Sequence, residues 1–151
     1  MRVFESLADV GACVGQRVGS SDWLTVSQER IDRFAQATDD HQWIHVDAQR
    51  ARSGPFGTTI AHGFLTLSLL PHFFETTVQI RNVRMALNYG LNRVRFVAPV
   101  PVDSRLRAHL TLLGCEPVDA AGVQLQWEVS VEREGASKPV CVAELLTRQY
   151  P

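Results

Sequence analysis

The sequence predicts an α+β fold in which a central apolar helix is wrapped by a curved antiparallel β-sheet. Three observations predict it. From His62 to about Thr76 the chain is apolar almost all round, through Phe64, Leu65, Leu67, Leu69, Leu70, Phe73 and Phe74. A helix of that kind needs other structure on most of its sides. Over residues 86–148 the hydrophobic period changes to two, the signature of antiparallel strands. Helical and strand-like segments are also segregated along the chain, which is the α+β pattern.

Each element has its own signal. Residues 14–26 carry short apolar runs and read as a strand or extended lead-in. Ser27 can N-cap a helix, with Thr25 and Gln28 offering a capping-box alternative. Ile31, Phe34, Ala35 and Thr38 fall at i, i+3, i+4 and i+7, one helical face, and the helix ends at the Asp39-Asp40 pair. Asp47 can cap a short helix through Ala48 and Ala51, and Gly54-Pro55-Phe56-Gly57 is a turn. Pro71 kinks the apolar helix or marks a change of direction. Strands follow at Asn92 to Val97, Arg105 to Leu110, Val123 to Val131 and Val140 to Thr147. Gly114, the Asp119 to Gly122 segment and Gly135 punctuate them. A single sheet of this kind leaves an edge in need of cover, so a homodimer is expected.

Length and composition exclude several classes. The chain has 151 residues and reads as one domain over 1–151. A chain of this size buries roughly 70% of the surface its unfolded form exposes, so its core needs no disulfide or metal. A formal net charge of -1 argues against a nucleic-acid partner. Lys138 is the only lysine and the arginines are scattered, so no polybasic cluster marks a membrane surface. Cys13, Cys115 and Cys141 are far apart and form no Cys-x-x-Cys pair, which reads as small buried residues in a reducing compartment. Glu5 and Asp9 near the start argue against a signal peptide. The longest uncharged stretch, Gly54 to Phe74, holds too many Gly, Pro, His, Ser and Thr residues for a membrane span. A soluble cytoplasmic protein is expected.

The chemistry concentrates in Asp40-His41-Gln42-Trp43-Ile44-His45 and Thr59-Ile60-Ala61-His62-Gly63. Histidine gains or loses a proton near neutral pH, and a partly desolvated carboxylate becomes a useful base. Asp40 and His45 together can take a proton from one water and return one to a substrate. Gln42 lies between them and can orient either. Gly63 opens the apolar helix, where its backbone N–H can approach a substrate oxygen closely at the positive end of the macrodipole. The spacing alone leaves open a capping and surface role for Asp40 and His45. A metal site at His41 and His45, with Asp39, Asp40 and His62 nearby, has a weak case, because no helical face aligns the imidazoles and no cysteine is close. Trp43 reads as a packing residue, and His72 and His109 as carrying no chemistry. No cofactor is expected.

Phe-Ala-Gln-Ala-Thr-Asp-Asp-His-Gln-Trp-Ile-His-Val-Asp from Phe34, with Gly-Pro-Phe-Gly-Thr-Thr-Ile-Ala-His-Gly-Phe-Leu from Gly54, resembles the signature of the MaoC-like dehydratases. These include the (R)-specific enoyl-CoA hydratases. Asn88-Tyr89-Gly90-Leu91-Asn92-Arg93-Val94-Arg95-Phe96 resembles a strand that follows the central helix in one branch of that family. The resemblance spans roughly residues 15–148. It implies the hot-dog fold, usually paired as a homodimer. It also implies that Asp40 and His45 are the catalytic acid/base pair, that Gly63 N–H is the oxyanion contact, and that His62 supports the site. Two departures stand out. Asp39 takes the place of the usual glycine, and Gln42-Trp43 that of the common Asn-Pro.

The implied activity is reversible addition of water to a trans-2-enoyl-CoA, giving an (R)-3-hydroxyacyl-CoA. The alternatives are a hot-dog acyl-CoA thioesterase and a non-catalytic module that binds acyl thioesters of CoA or a carrier protein. The Asp-x-x-x-x-His spacing and the His-Gly step favour the hydratase, and intact Asp40 and His45 argue against mere binding.

Overall fold

Polar side chains just outside the helices decide where the first half of the chain turns. In the computed structural model, which describes residues 1–119 and 121–151, strand β1 (Arg2–Phe4) leads into helix α1 (Leu7–Gly11), capped by Ser6. Strands β2 (Arg17–Ser20) and β3 (Leu24–Val26) form the extended lead-in. Ser27 is the N-cap of helix α2 (Gln28–Thr38), its Oγ accepting from Arg30 N at 3.3 Å. Ile31 and Ala35 are buried, and the helix ends where Asp39 turns left-handed at φ 59°. After the one-turn helix α3 (Trp43–Val46), Asp47 caps α4 (Ala48–Arg52) by accepting from Arg50 N at 2.9 Å. The 54–57 turn closes with Gly57 at φ 69°, a conformation that costs glycine little.

The apolar helix is in fact two. Helices α5 (Gly63–Ser68) and α6 (Leu70–Thr77) meet at Leu69, and Pro71 sits in the first turn of α6. Proline is tolerated there because its missing N–H would have no partner anyway. The change of direction therefore falls just before it. Cover is less complete than the composition predicts. Leu65, Leu69, Leu70 and Phe73 are buried, whereas Phe64 is 67% exposed and rests edge-on against Phe96, itself 43% exposed.

Strand β4 (Val78–Ile80) returns beside β1 as a parallel pair. Strands β5 (Met85–Phe96), β6 (Ser104–Pro117), β7 (Val123–Arg133) and β8 (Cys141–Tyr150) supply the rest. The six-stranded sheet runs β2-β6-β7-β8-β5, with β3 also on β6, and all its pairings are antiparallel. Alternation sends Leu106, Ala108, Leu110 and Leu112 of β6 into one core with Leu125, Trp127, Val129 and Val131 of β7 and the buried face of α5 and α6. Burying a large apolar side chain of this kind stabilises by ~1.5–3 kcal/mol.

Two punctuation marks read differently in three dimensions. Gly114, expected between strands, lies inside β6 where the register against β7 shifts between Leu112 and Gly114. A bulge absorbs the extra residue, so this glycine interrupts a strand without ending it. Gly135, at φ 76°, does turn β7 toward β8. Of the expected Asp119 to Gly122 segment, Ala120 lies outside the described residues, while Gly122 N donates to Asp119 O at 3.0 Å. The three cysteines are free, and burial pushes the Cys141 thiol up to about 11. Among the described residues, no helix is long and apolar enough to cross a membrane.

Candidate active site

The left-handed residue at Asp39 reverses the chain after α2. Aspartate tolerates that conformation better than most residues, which accounts physically for its standing where the resembling motif has glycine. Asp40 then accepts from Gln42 N at 3.4 Å, a turn closed by its own side chain. Asp40 is exposed, against the expectation of a partly desolvated carboxylate. His45 on α3 points inward and is only 6% exposed. Trp43 lies under the Arg50 guanidinium, 4.4 Å from its ring centre, and packs against Gly54.

The returning segment docks on the sheet margin. Ala61 N donates to Val100 O at 2.8 Å, and Ile60 N donates to Ile44 O at 3.0 Å. This brings Ile60 O to 2.7 Å from His45 Nδ1. A carbonyl only accepts, so Nδ1 carries the proton and Nε2 keeps a free lone pair. By the same argument His62 Nε2 donates to Asp40 O at 3.0 Å. His62 Nδ1 is buried, with no hydrogen-bond partner among the described residues.

The two imidazoles stack, with ring centroids 3.8 Å apart and planes inclined by 25°. Phe34 of α2 contacts the His62 ring at 4.9 Å. Burial holds His45 below the ordinary imidazole value; the bond to Ile60 O and the Asp40 carboxylate oppose this, and His62 reinforces it. Burial thus favours the neutral form of the His45 ring.

Donor atoms of Asp40, His45 and His62 all lie within 4.8 Å of one another. His41, the other half of the possible metal pair, is not among them. The three groups are close enough to hold one metal ion or one water between them.

His45 and Gly63 line one cleft of about 310 Å³ together with Phe56, Ile60, Phe96 and Val140. Gly63 is the first residue of α5, so its N–H has no partner within the helix. A Cβ there would lie 2.7 Å from the Phe96 ring. Because α5 has only 6 residues, the local N–H matters more than a long macrodipole. Gln42 contributes its backbone N–H to Asp40, and its side chain makes no cap bond. His109 faces the other side of the sheet with Ser20, Arg17 and Glu132.

Two side chains at the site have roles that the sequence does not reveal, although Thr59 lies within its second motif. Gln28, considered only as a cap, reaches His45 O, and the buried Thr59 hydroxyl donates to Gln28. Contacts 17 and 31 residues apart leave no periodic or motif signal.

A family model described as "MaoC like domain" matches residues 9–133. The chain is 55% identical over 148 residues to the 3-hydroxyacyl-thioester dehydratase Z of Mycobacterium tuberculosis, covering 98% of each. It is 49% identical over 144 residues to nodulation protein N of Rhizobium leguminosarum bv. viciae, covering 94% of this chain and 89% of that one. Among solved structures, the monoamine oxidase regulatory protein of Archaeoglobus superposes with a TM-score of 0.80 at 21% identity, over 99% of this chain and 97% of that one. The unliganded R-hydratase PhaJ1 of Pseudomonas aeruginosa superposes with a TM-score of 0.72 at 23% identity, over 96% and 85%. These two likenesses concern the fold.

Proposed function

The chain belongs to the MaoC-like domain family and has its hot-dog fold, and from that premise we propose that it hydrates trans-2-enoyl-CoA thioesters reversibly to (R)-3-hydroxyacyl-CoA. One observation carries the reading. Ligand atoms of the buried His45 and of Asp40 lie within 4.8 Å of one another, the His45 Nδ1 bond to Ile60 O leaves Nε2 free, and His45 lines a cleft that also presents Gly63.

The enoyl thioester lies in the apolar cleft with its carbonyl oxygen on Gly63 N–H. The Asp40 carboxylate orients a water beside C3. His45 Nε2 takes one proton from that water as the oxygen bonds to C3. The double-bond electrons move toward the thioester, and the enolate oxygen is held by Gly63. The new imidazolium, next to Asp40, returns the proton to C2 on the same face. One water is consumed and His45 ends neutral. His62 supports His45 by stacking and fixes Asp40 through its carbonyl. Gln42 holds the Asp40 side chain through its N–H.

We read 1–151 as a single domain acting as a cytoplasmic homodimer in fatty-acyl metabolism. The exposed Leu91 and Phe96 of the edge strand β5, with the exposed Phe64 of α5 resting against Phe96, support pairing with a second copy. The test is crotonyl-CoA and a longer enoyl-CoA, followed by conjugated absorbance and, separately, by free thiol. Loss of absorbance without thiol supports the hydratase. Thiol release identifies a thioesterase, and no change identifies a binding module.

A further inference from the structure

Resting on the reading that His45 moves the proton, we propose that Gln28 is a positioning residue, bridging with Thr59 the two chain segments that carry His45 and the carbonyl that sets its tautomer. Its amide is nearly saturated. Gln28 Nε2 donates to His45 O at 2.8 Å and to Asp32 Oδ1 at 2.8 Å. Gln28 Oε1 accepts from Thr59 Oγ1 at 2.6 Å. The orientation is fixed by chemistry: a carboxylate only accepts, so the nitrogen must face Asp32 and the oxygen is left for Thr59.

The arrangement answers a local need. Helix α3 has four residues, so its carbonyls find few partners within the helix. Gln28 satisfies the one on His45 itself. Thr59 is 2% exposed, and the next residue, Ile60, supplies the acceptor for His45 Nδ1. One side chain, anchored on the first turn of α2, therefore holds both segments at once. Without it, His45 O and Thr59 Oγ1 each lose a partner, and the Nδ1–Ile60 O bond is free to loosen. An imidazole with two accessible tautomers presents a protonated Nε2 to the water part of the time, and that form cannot act as a base. A displacement of this kind at a reacting group costs roughly 10²-fold in rate.

Three variants and one spectroscopic readout test this in the full chain. Gln28→Glu keeps the shape but places a carboxylate oxygen against Asp32 and His45 O. Thr59→Val removes the hydroxyl at constant shape, and Thr59→Ser restores it. We expect Gln28→Glu and Thr59→Val to lower kcat on crotonyl-CoA by about 10- to 100-fold with KM within about twofold, and Thr59→Ser to stay near wild type. Imidazole nitrogen NMR of the wild type should show His45 as a single Nδ1–H form, and of the two impaired variants a mixture. Wild-type kcat in both variants overturns the proposal. So does a fall in kcat with the His45 tautomer unchanged, or a Thr59→Ser loss equal to that of Thr59→Val. If Gln28→Glu does not fold, the Thr59 pair decides alone. Full activity of His45→Gln would instead overturn the reading beneath the proposal, a result distinct from any of these.

Discussion

His45 and His62 stack at 3.8 Å, and each ring gives one N–H to a backbone carbonyl, Ile60 O for the first and Asp40 O for the second. The second bond crosses from the return segment to the backbone of Asp40 itself. The carboxylate and the two imidazoles are thus tied by main-chain contacts, so their spacing does not depend on flexible side chains alone.

The buried His45 gives a pH signature. Its folded value is lowered below 6.5, first by burial, so the unfolded chain binds more protons between the folded value and 6.5. The stabilising contribution is fully present above 6.5 and is lost as pH falls through that window. Melting temperatures should therefore decline on acidification below 6.5 more steeply in the wild type than in His45→Gln. The acid limb of kcat/KM should likewise have its midpoint below 6.5. A midpoint above it would contradict a desolvated His45 base.

Gly63 is restricted twice, by its N–H and by Phe96. Gly63→Ala puts a methyl 2.7 Å from that ring, so the single variant should lose thermal stability as well as turnover. Adding Phe96→Ala makes room. The double variant should regain the melting temperature of Phe96→Ala alone while its turnover stays ~10²–10³-fold below that of Phe96→Ala, the loss expected when a methyl keeps the thioester oxygen off the Gly63 N–H as fully as removing one oxyanion donor would. Recovery of turnover with stability would reduce Gly63 to a packing role.

Sedimentation at micromolar concentration should show a dimer. Leu91→Arg, at a position 42% exposed on β5, should shift it toward monomer. A wild-type monomer at that concentration would rule out the pairing.

Local chemistry was the legible part of the molecule. Ser27 and Asp47 cap where their sequence context places them, because a cap needs only a side chain and the next turn. The alternation in β6 and β7 marks the core face for the same reason. What depended on distant partners was hidden. The parallel pairing of Arg2–Phe4 with Val78–Ile80 leaves no pattern in either segment. Gly114 looks the same in sequence whether it ends a strand or bulges it. The apolar composition of α5 reports that cover is needed, but not that Phe64 finds little of it in its own chain. At the site, the motif gave Asp40, His45, His62 and Gly63. It could not reveal that Asp40 stays exposed or that Gln28 holds the His45 carbonyl.

Hydration of an enoyl thioester by Asp40 and His45 acting together is tested by the turnover of crotonyl-CoA by Asp40→Asn and His45→Gln beside the wild type. Both substitutions keep approximate size; His45→Gln removes the proton-transfer group, and Asp40→Asn removes the charge that orients the water and stabilises the imidazolium. With circular dichroism and melting curves confirming folded protein, each variant should lose ~10²–10⁴-fold in hydration rate, and the wild-type product should be the (R)-3-hydroxyacyl thioester. Folded variants that both turn over at near the wild-type rate would contradict the assignment.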